Sequence, residues 1–251
     1  MKSNSRHSLI KLVLQGLPHG QPFGLAELAD YEISPALAAK YAKSGWLERL
    51  EQGTYAYPND NLQLDNCLLY LQKRSPGLHV GGKTALSWQG IRHNISSRSR
   101  IQLWGTQRFQ LPDWFTVRFP ARYHQRALFD VETLTSLLDD EGYARIADHA
   151  AGLCVSSRER ALLEVLNEVG VTQDLEEATH LFESFTSMRL EAMGALLTAC
   201  TRIKTVRLFL QLAQQTNAID VVALRERFSL KLGSKTRWTR RLQDGTLLTI
   251  K

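Results

Sequence analysis

The sequence predicts an α+β fold in two parts, an N-terminal winged helix-turn-helix and a larger mixed α+β domain, helix-rich in its C-terminal half. Three observations carry this expectation. Three short amphipathic segments run directly into an aromatic, β-branched hairpin within the first sixty residues. Alternating, strand-like runs lie between Ile101 and Phe119, and a succession of helical patterns fills 157–215. The breakers Pro58-Asn59-Asp60 set the expected boundary, giving a winged-helix domain at 1–59 and an α+β domain at 60–251. A chain of 251 residues suits two domains at about 100–200 residues each.

The elements follow in order. Ser8 to Leu17 places Leu9, Ile10, Val13, Leu14 and Leu17 at helical spacing, and Pro18-His19-Gly20-Gln21-Pro22 stops it. Leu25 to Ala29 makes a short second helix. Ser34-Pro35 reads as an N-cap followed by proline at the first helical position, where its missing N–H costs nothing. The third helix runs to about Lys43 with Leu37, Ala38 and Tyr41 inward, and stops at Ser44-Gly45. Trp46 to Leu50 is strand-like, Gln52-Gly53 supplies a turn, and Thr54 to Tyr57 returns as the second strand. That order is the helix-turn-helix with its wing.

Leu62 to Lys73 reads as a helix broken by Pro76-Gly77. Ile101 to Trp104 and Phe115 to Phe119 read as paired strands, with Phe115, Val117 and Phe119 on one core-facing side. Helices are expected at Ser157–Val169, Glu176–Phe185, Arg189–Cys200 and Thr205–Gln215, and a terminal hairpin around Gly245.

Composition narrows the function. Lys and Arg number 31 against 25 Asp and Glu, a formal charge of +6. The surplus is uneven: residues 83–126 hold 8 basic side chains against Asp113 alone, and 225–251 hold 8 against Glu226 and Asp244. Residues 1–60 are neutral, with 6 of each sign. No apolar run approaches the roughly 18–20 residues of a membrane span, and no cleavage site follows the short apolar stretch at Leu9–Leu14. Cys67, Cys154 and Cys200 are far apart and odd in number, which excludes a disulfide framework. A cytoplasmic location and no membrane contact are the expectation.

No catalytic constellation emerges. Gly77 to Thr84 satisfies G-x-x-x-x-G-K-[ST], but a phosphate-cradling loop follows a buried strand, and here a helical segment and Pro76 precede it. A turn leading into a packed helix is the preferred reading. The seven histidines form neither H-x-x-x-H nor H-E-x-x-H, so no metal site is expected. No serine lies in G-x-S-x-G, and Cys154 reads as a small buried hydrophobe. No cofactor is expected.

If the winged helix binds DNA, Ser34, Ala36, Lys40 and Lys43 should face the major groove. Arg49, Gln52 and Thr54 should reach phosphates from the wing. Glu48 and Glu51 put negative charge into that wing and keep a second reading open, a protein-interaction adaptor whose winged helix is a docking surface. Arg92, Arg98, Arg100, Arg108, Arg118, Arg122 and Arg126 form a candidate anion or partner surface in the second domain.

Three stretches, in order, resemble the AbiEi-type antitoxins of bacterial type IV toxin–antitoxin (abortive infection) systems. SPALAAKYAKSGWLERLEQGTYAY, from Ser34 to Tyr57, resembles the end of their N-terminal winged helix. HVGGKTAL, from His79 to Leu86, resembles the start of their second domain, and SRERALLE, from Ser157 to Glu164, a helix within it. The resemblance implies a non-enzymatic transcriptional regulator that binds double-stranded DNA of its own promoter region and represses its own operon. It also implies an antitoxin that counters a nucleotidyltransferase-like toxin functionally rather than through a stable complex.

Overall fold

The computed structural model describes residues 6–92, 100–216, 218–234, 238–241 and 247–250. The chain divides into two compact units. One comprises Met1–Pro76, Gln110–Pro120 and His149–Leu153; the other comprises Gly77–Phe109, Ala121–Asp148 and Cys154–Lys251.

The first unit begins with α1 (Arg6–Gly16), β1 (Phe23–Gly24), α2 (Leu25–Ala29), α3 (Pro35–Lys43), β2 (Glu48–Glu51), β3 (Thr54–Ala56) and α4 (Leu64–Arg74). The three strands form an antiparallel sheet in the order β1-β3-β2, with Phe23 opposite Tyr55 and Arg49 opposite Tyr55 on the other side. Its core contains Leu9, Ile10, Val13, Phe23, Leu28, Ile33, Ala38, Tyr41, Leu47, Tyr55 and Tyr57. The helical spacing of α1 therefore places Leu9, Ile10 and Val13 where the sheet needs them. The Tyr57 hydroxyl donates to the carbonyls of Val13 and Leu17 at 2.7 and 2.9 Å, closing the last turn of α1 onto the sheet. This is the winged helix-turn-helix, with α2 and α3 as the helical pair and β2–β3 as the wing.

Between them the two units then take up β4 (His79–Val80), α5 (Gly82–Trp88), β5 (Ile101–Gly105), α6 (Asp113–Arg118), β6 (Ala121–Gln125), α7 (Val131–Leu137), β7 (Tyr143–Ala144) and β8 (Val155–Ser156). Of these, α6 packs within the first unit. The remaining strands form a mixed five-stranded sheet in the order β6-β5-β4-β8-β7, with β5 parallel to β6 and antiparallel to β4. Then come α8 (Arg158–Glu168), α9 (Leu175–Glu183), α10 (Leu190–Ala199), α11 (Ile203–Thr216), α12 (Val221–Arg227) and the antiparallel hairpin β9 (Trp238–Arg241) and β10 (Leu247–Ile250).

The strand expected at Phe115–Phe119 is instead the helix α6. Trp114 and Phe115 are buried, whereas Val117 is 80% exposed, which no core-facing strand would allow. Phe115 and Phe119 do meet, with ring centroids 5.5 Å apart, but as i,i+4 neighbours at the end of one helical turn.

α8 lies at the centre of the second unit. Its apolar side chains Ala161, Leu162, Val165 and Leu166 are buried as their spacing predicts, but so are Glu159, Arg160, Glu164 and Glu168. Buried charges persist only when paired. Glu159 receives the Arg189 backbone N–H and guanidinium, and Glu168 receives Arg126 and Thr172. Among the described residues no helix is long and apolar enough to cross a membrane.

Candidate nucleic-acid interface

Local chemistry fixes the start of α3. The Ser34 hydroxyl accepts the backbone N–H of Leu37 at 3.3 Å, and Pro35 occupies the first turn. Ala38 and Tyr41 anchor the helix in the core. Ser34, Ala36, Lys40 and Lys43 are exposed. Positions 36, 40 and 43 are four and three apart, so they share one helix face away from that core.

The wing places its expected residues less uniformly. Gly53 adopts the left-handed conformation (φ 76°) that lets β2 turn back as β3. Arg49 and Gln52 are exposed. Thr54 is fully buried, which corrects its expected role as a phosphate contact. Its hydroxyl lies 2.9 Å from the Tyr70 hydroxyl and 3.1 Å from Glu51 Oε1, and it accepts the Arg74 guanidinium at 2.7 Å. Helix α4 supplies Tyr70 and Arg74 and covers the face that alternation alone leaves open.

The two wing carboxylates are both answered by arginines, Arg74, which the sequence reading does not single out, and Arg118, which it assigns to an anion surface of the second domain rather than to the wing. Arg74 pairs with Glu51 at 2.7 Å, and Arg118 at the end of α6 lies 3.5 Å from Glu48. Neither arginine belongs to the helix-turn-helix or its hairpin. No local motif marks them, because the contacts span 23 residues in one case and 70 in the other.

The arginines of the expected anion surface do not share one setting. Arg92, Arg100, Arg108 and Arg122 are exposed and belong to the second unit. Arg126 is held by Glu168 at 3.0 Å, and Arg118 belongs to the first unit. Arg98 lies outside the described residues.

The Gly81-Gly82-Lys83-Thr84 string has a structural purpose of its own. The backbone N–H of Gly82 donates to Glu164 Oε2 at 2.8 Å, and Glu164 is buried against β4 and β8. The carboxylate also faces His79 Nε2 at 2.9 Å, Ser156 Oγ at 2.9 and 3.0 Å, and Arg160 Nε at 3.3 Å. Burial pushes its pKa up, but the charge and hydrogen bond of His79, with Arg160 and Gly82, outweigh that and hold it below the usual value. A Cβ on Gly81 would collide with Glu164 Oε2 and sit 2.7 Å from the Trp104 ring. Lys83 is spent on Glu177, whose two oxygens it meets at 3.0 and 2.9 Å. The motif thus cradles an internal carboxylate. Cys154 is exposed, which corrects its expected place as a small buried hydrophobe, and partial desolvation raises its thiol, opposite to what a thiolate nucleophile requires.

Comparison with known proteins agrees with this architecture. A family model described as "Transcriptional regulator, AbiEi antitoxin N-terminal domain" matches residues 6–97. A second, "Transcriptional regulator, AbiEi antitoxin, Type IV TA system", matches residues 98–250. No curated protein sequence matches the chain. The crystal structure of RV2827C protein from Mycobacterium tuberculosis is similar in fold, with a TM-score of 0.56 and 16% identity over 89% of this chain and 81% of that one. The two family matches together take in nearly the whole sequence, and the chain belongs to the AbiEi antitoxin family of transcriptional regulators of type IV toxin–antitoxin systems.

Proposed function

We propose that the first unit binds double-stranded DNA upstream of its own operon, with α3 in the major groove and the wing against phosphates. One observation carries this reading: Ser34, Ala36, Lys40 and Lys43 stand exposed on a recognition helix whose opposite face is locked into the core. Lys40 and Lys43 supply charge for phosphate and base-edge contacts, while Arg49 and Gln52 extend from the wing. Thr54 is withdrawn from the contact set, because it is buried beneath Arg74.

Family membership supports a second role, that of an antitoxin. In this reading residues 60–251 carry that activity and counter a nucleotidyltransferase-like toxin without a stable complex. The exposed Arg92, Arg100, Arg108 and Arg122 are its candidate polar contacts.

The deciding experiment is fluorescence anisotropy of the full-length protein on its own upstream duplex, with a scrambled duplex as control, at two salt concentrations. Preference for the upstream duplex, lost in Lys40→Ala/Lys43→Ala, supports the regulator. Equal and weak binding to both duplexes would favour the adaptor instead.

A further inference from the structure

We infer that Arg74 and Arg118 are positioning residues of the DNA interface, which neutralise the wing carboxylates Glu51 and Glu48 from elements outside the winged helix. The inference rests on the operator-binding reading above and concerns what makes that surface competent.

Glu48 and Glu51 lie on β2 and flank Arg49, the basic residue of the wing. Left bare, two carboxylates there would oppose a polyanion and offset the charge of Arg49 and the lysines of α3. Within the first unit neither is bare. The Arg74 guanidinium donates to Glu51 Oε1 and Thr54 Oγ1, both at 2.7 Å, and to the Tyr70 hydroxyl at 3.2 Å. Its carbon also lies over the Tyr70 ring, 5.5 Å from the centroid. Thr54 and Tyr70 are buried, so the charge is held in place by groups that do not move with the solvent. Arg118 donates through one nitrogen to the Trp114 carbonyl at 2.9 Å and presents another to Glu48.

Stability does not explain these pairs. All four side chains are between about a third and a half exposed, and exposed ion pairs of this kind contribute at most about 1 kcal/mol. Their effect is on the local field. At about 0.1 M salt the screening length is about 10 Å, so a carboxylate on the wing is felt by any phosphate the wing approaches.

Arg118 ties the wing to a distant stretch of the chain. It lies in the part of the chain matched by the second family model, yet it packs within the first unit. The charge of the wing thus depends on residues on both sides of the family division.

The test uses full-length protein and its own upstream duplex, read by anisotropy at low and moderate salt, with thermal melts of every variant. Arg118→Gln and Arg74→Gln should each weaken binding about two- to fivefold at low salt, with less effect at moderate salt. Arg118→Gln/Glu48→Gln and Arg74→Gln/Glu51→Gln should restore it, because removing the carboxylate removes the need for its partner. Single variants that bind as tightly as the wild type would overturn the inference. So would a loss that the second substitution fails to restore, which would make the arginines direct phosphate contacts. If Arg74→Gln melts early, the Arg118 and Glu48 pair decides alone, since it rests on no buried hydroxyl. A wild type with no salt-dependent affinity for DNA would overturn the operator-binding reading, and this inference with it.

Discussion

Glu164 of α8 accepts the backbone N–H of Gly82 at 2.8 Å, so the anion at the start of α5 is the protein's own carboxylate. Because His79, Ser156 and Arg160 converge on the same group, its removal strands several buried donors at once. Glu164→Ala should destabilise the full-length protein by about 3–5 kcal/mol in urea unfolding. Gly81→Ala should cost about 1–3 kcal/mol or more, because its Cβ meets both the carboxylate and Trp104. ATP should not raise the melting temperature of the wild type; a shift that Lys83→Ala abolishes would sink the internal-cradle reading.

The proposed role of α3 in DNA binding can be tested by charge counting. Lys40→Ala and Lys43→Ala should each reduce the slope of log affinity against log salt by about 1 per protomer, if each meets one phosphate. A lysine that reads a base edge would instead show unequal losses across operator variants. Slopes unchanged in both substitutions would place α3 away from DNA.

Ser34 serves two ends that substitution can separate. Ser34→Ala removes the acceptor for the Leu37 N–H and should cost about 0.5–2 kcal/mol in a thermal melt. Ser34→Asp keeps the cap and should keep the stability, but it sets a carboxylate on the exposed face. Operator affinity should therefore fall in Ser34→Asp even though its melt matches the wild type. A melt unchanged by Ser34→Ala would show that the cap carries no weight.

Glu168 gives the second unit an acid limit. Burial raises its pKa, but the hydrogen bond from His124 and the charges of Arg126 and His124, with Thr172, outweigh burial and hold it at about 2, against 4.5 when unpaired. A carboxylate depressed in the folded state contributes stability that is fully present above pH 4.5 and is lost as pH falls towards about 2. The stability gap between the wild type and Glu168→Gln should therefore be widest above pH 4.5 and close below it. A gap that stays constant down to pH 2 would show that the charge of Glu168 is not what matters.

The winged helix was legible in the sequence because its signals are local. Ser34-Pro35, the spacing of Leu9 to Leu17 and the Gly53 turn each act within a few residues. Thr54 departs from its expected exposure for a non-local reason. Alternation puts one side of β3 towards solvent, but α4 covers it with Tyr70, and all three residues of the strand are buried. The sequence pattern does not separate the helix α6 from a strand, because Phe115 and Phe119 fit two periods at once, being two strand steps and one helical turn apart. In a helix of six residues, too few positions exist for the longer period to declare itself. Arg74 and Arg118 were invisible as partners of the wing, since nothing in a charge count says which carboxylate a distant arginine will meet.

The interleaving of the two units has a consequence for how such proteins can be taken apart. Trp114 packs edge-on against Tyr70 with centroids 6.4 Å apart, and the 149–153 segment ties to Asp65 through His149 and the Ala150 N–H. A fragment cut after residue 76 or 97 therefore loses part of its own foundation, along with the arginine facing Glu48. Exchange between relatives would have to transplant three separate stretches together. A substitution in 110–120 or 149–153 is therefore judged by how it packs against the winged helix, whatever the rest of the chain around it does.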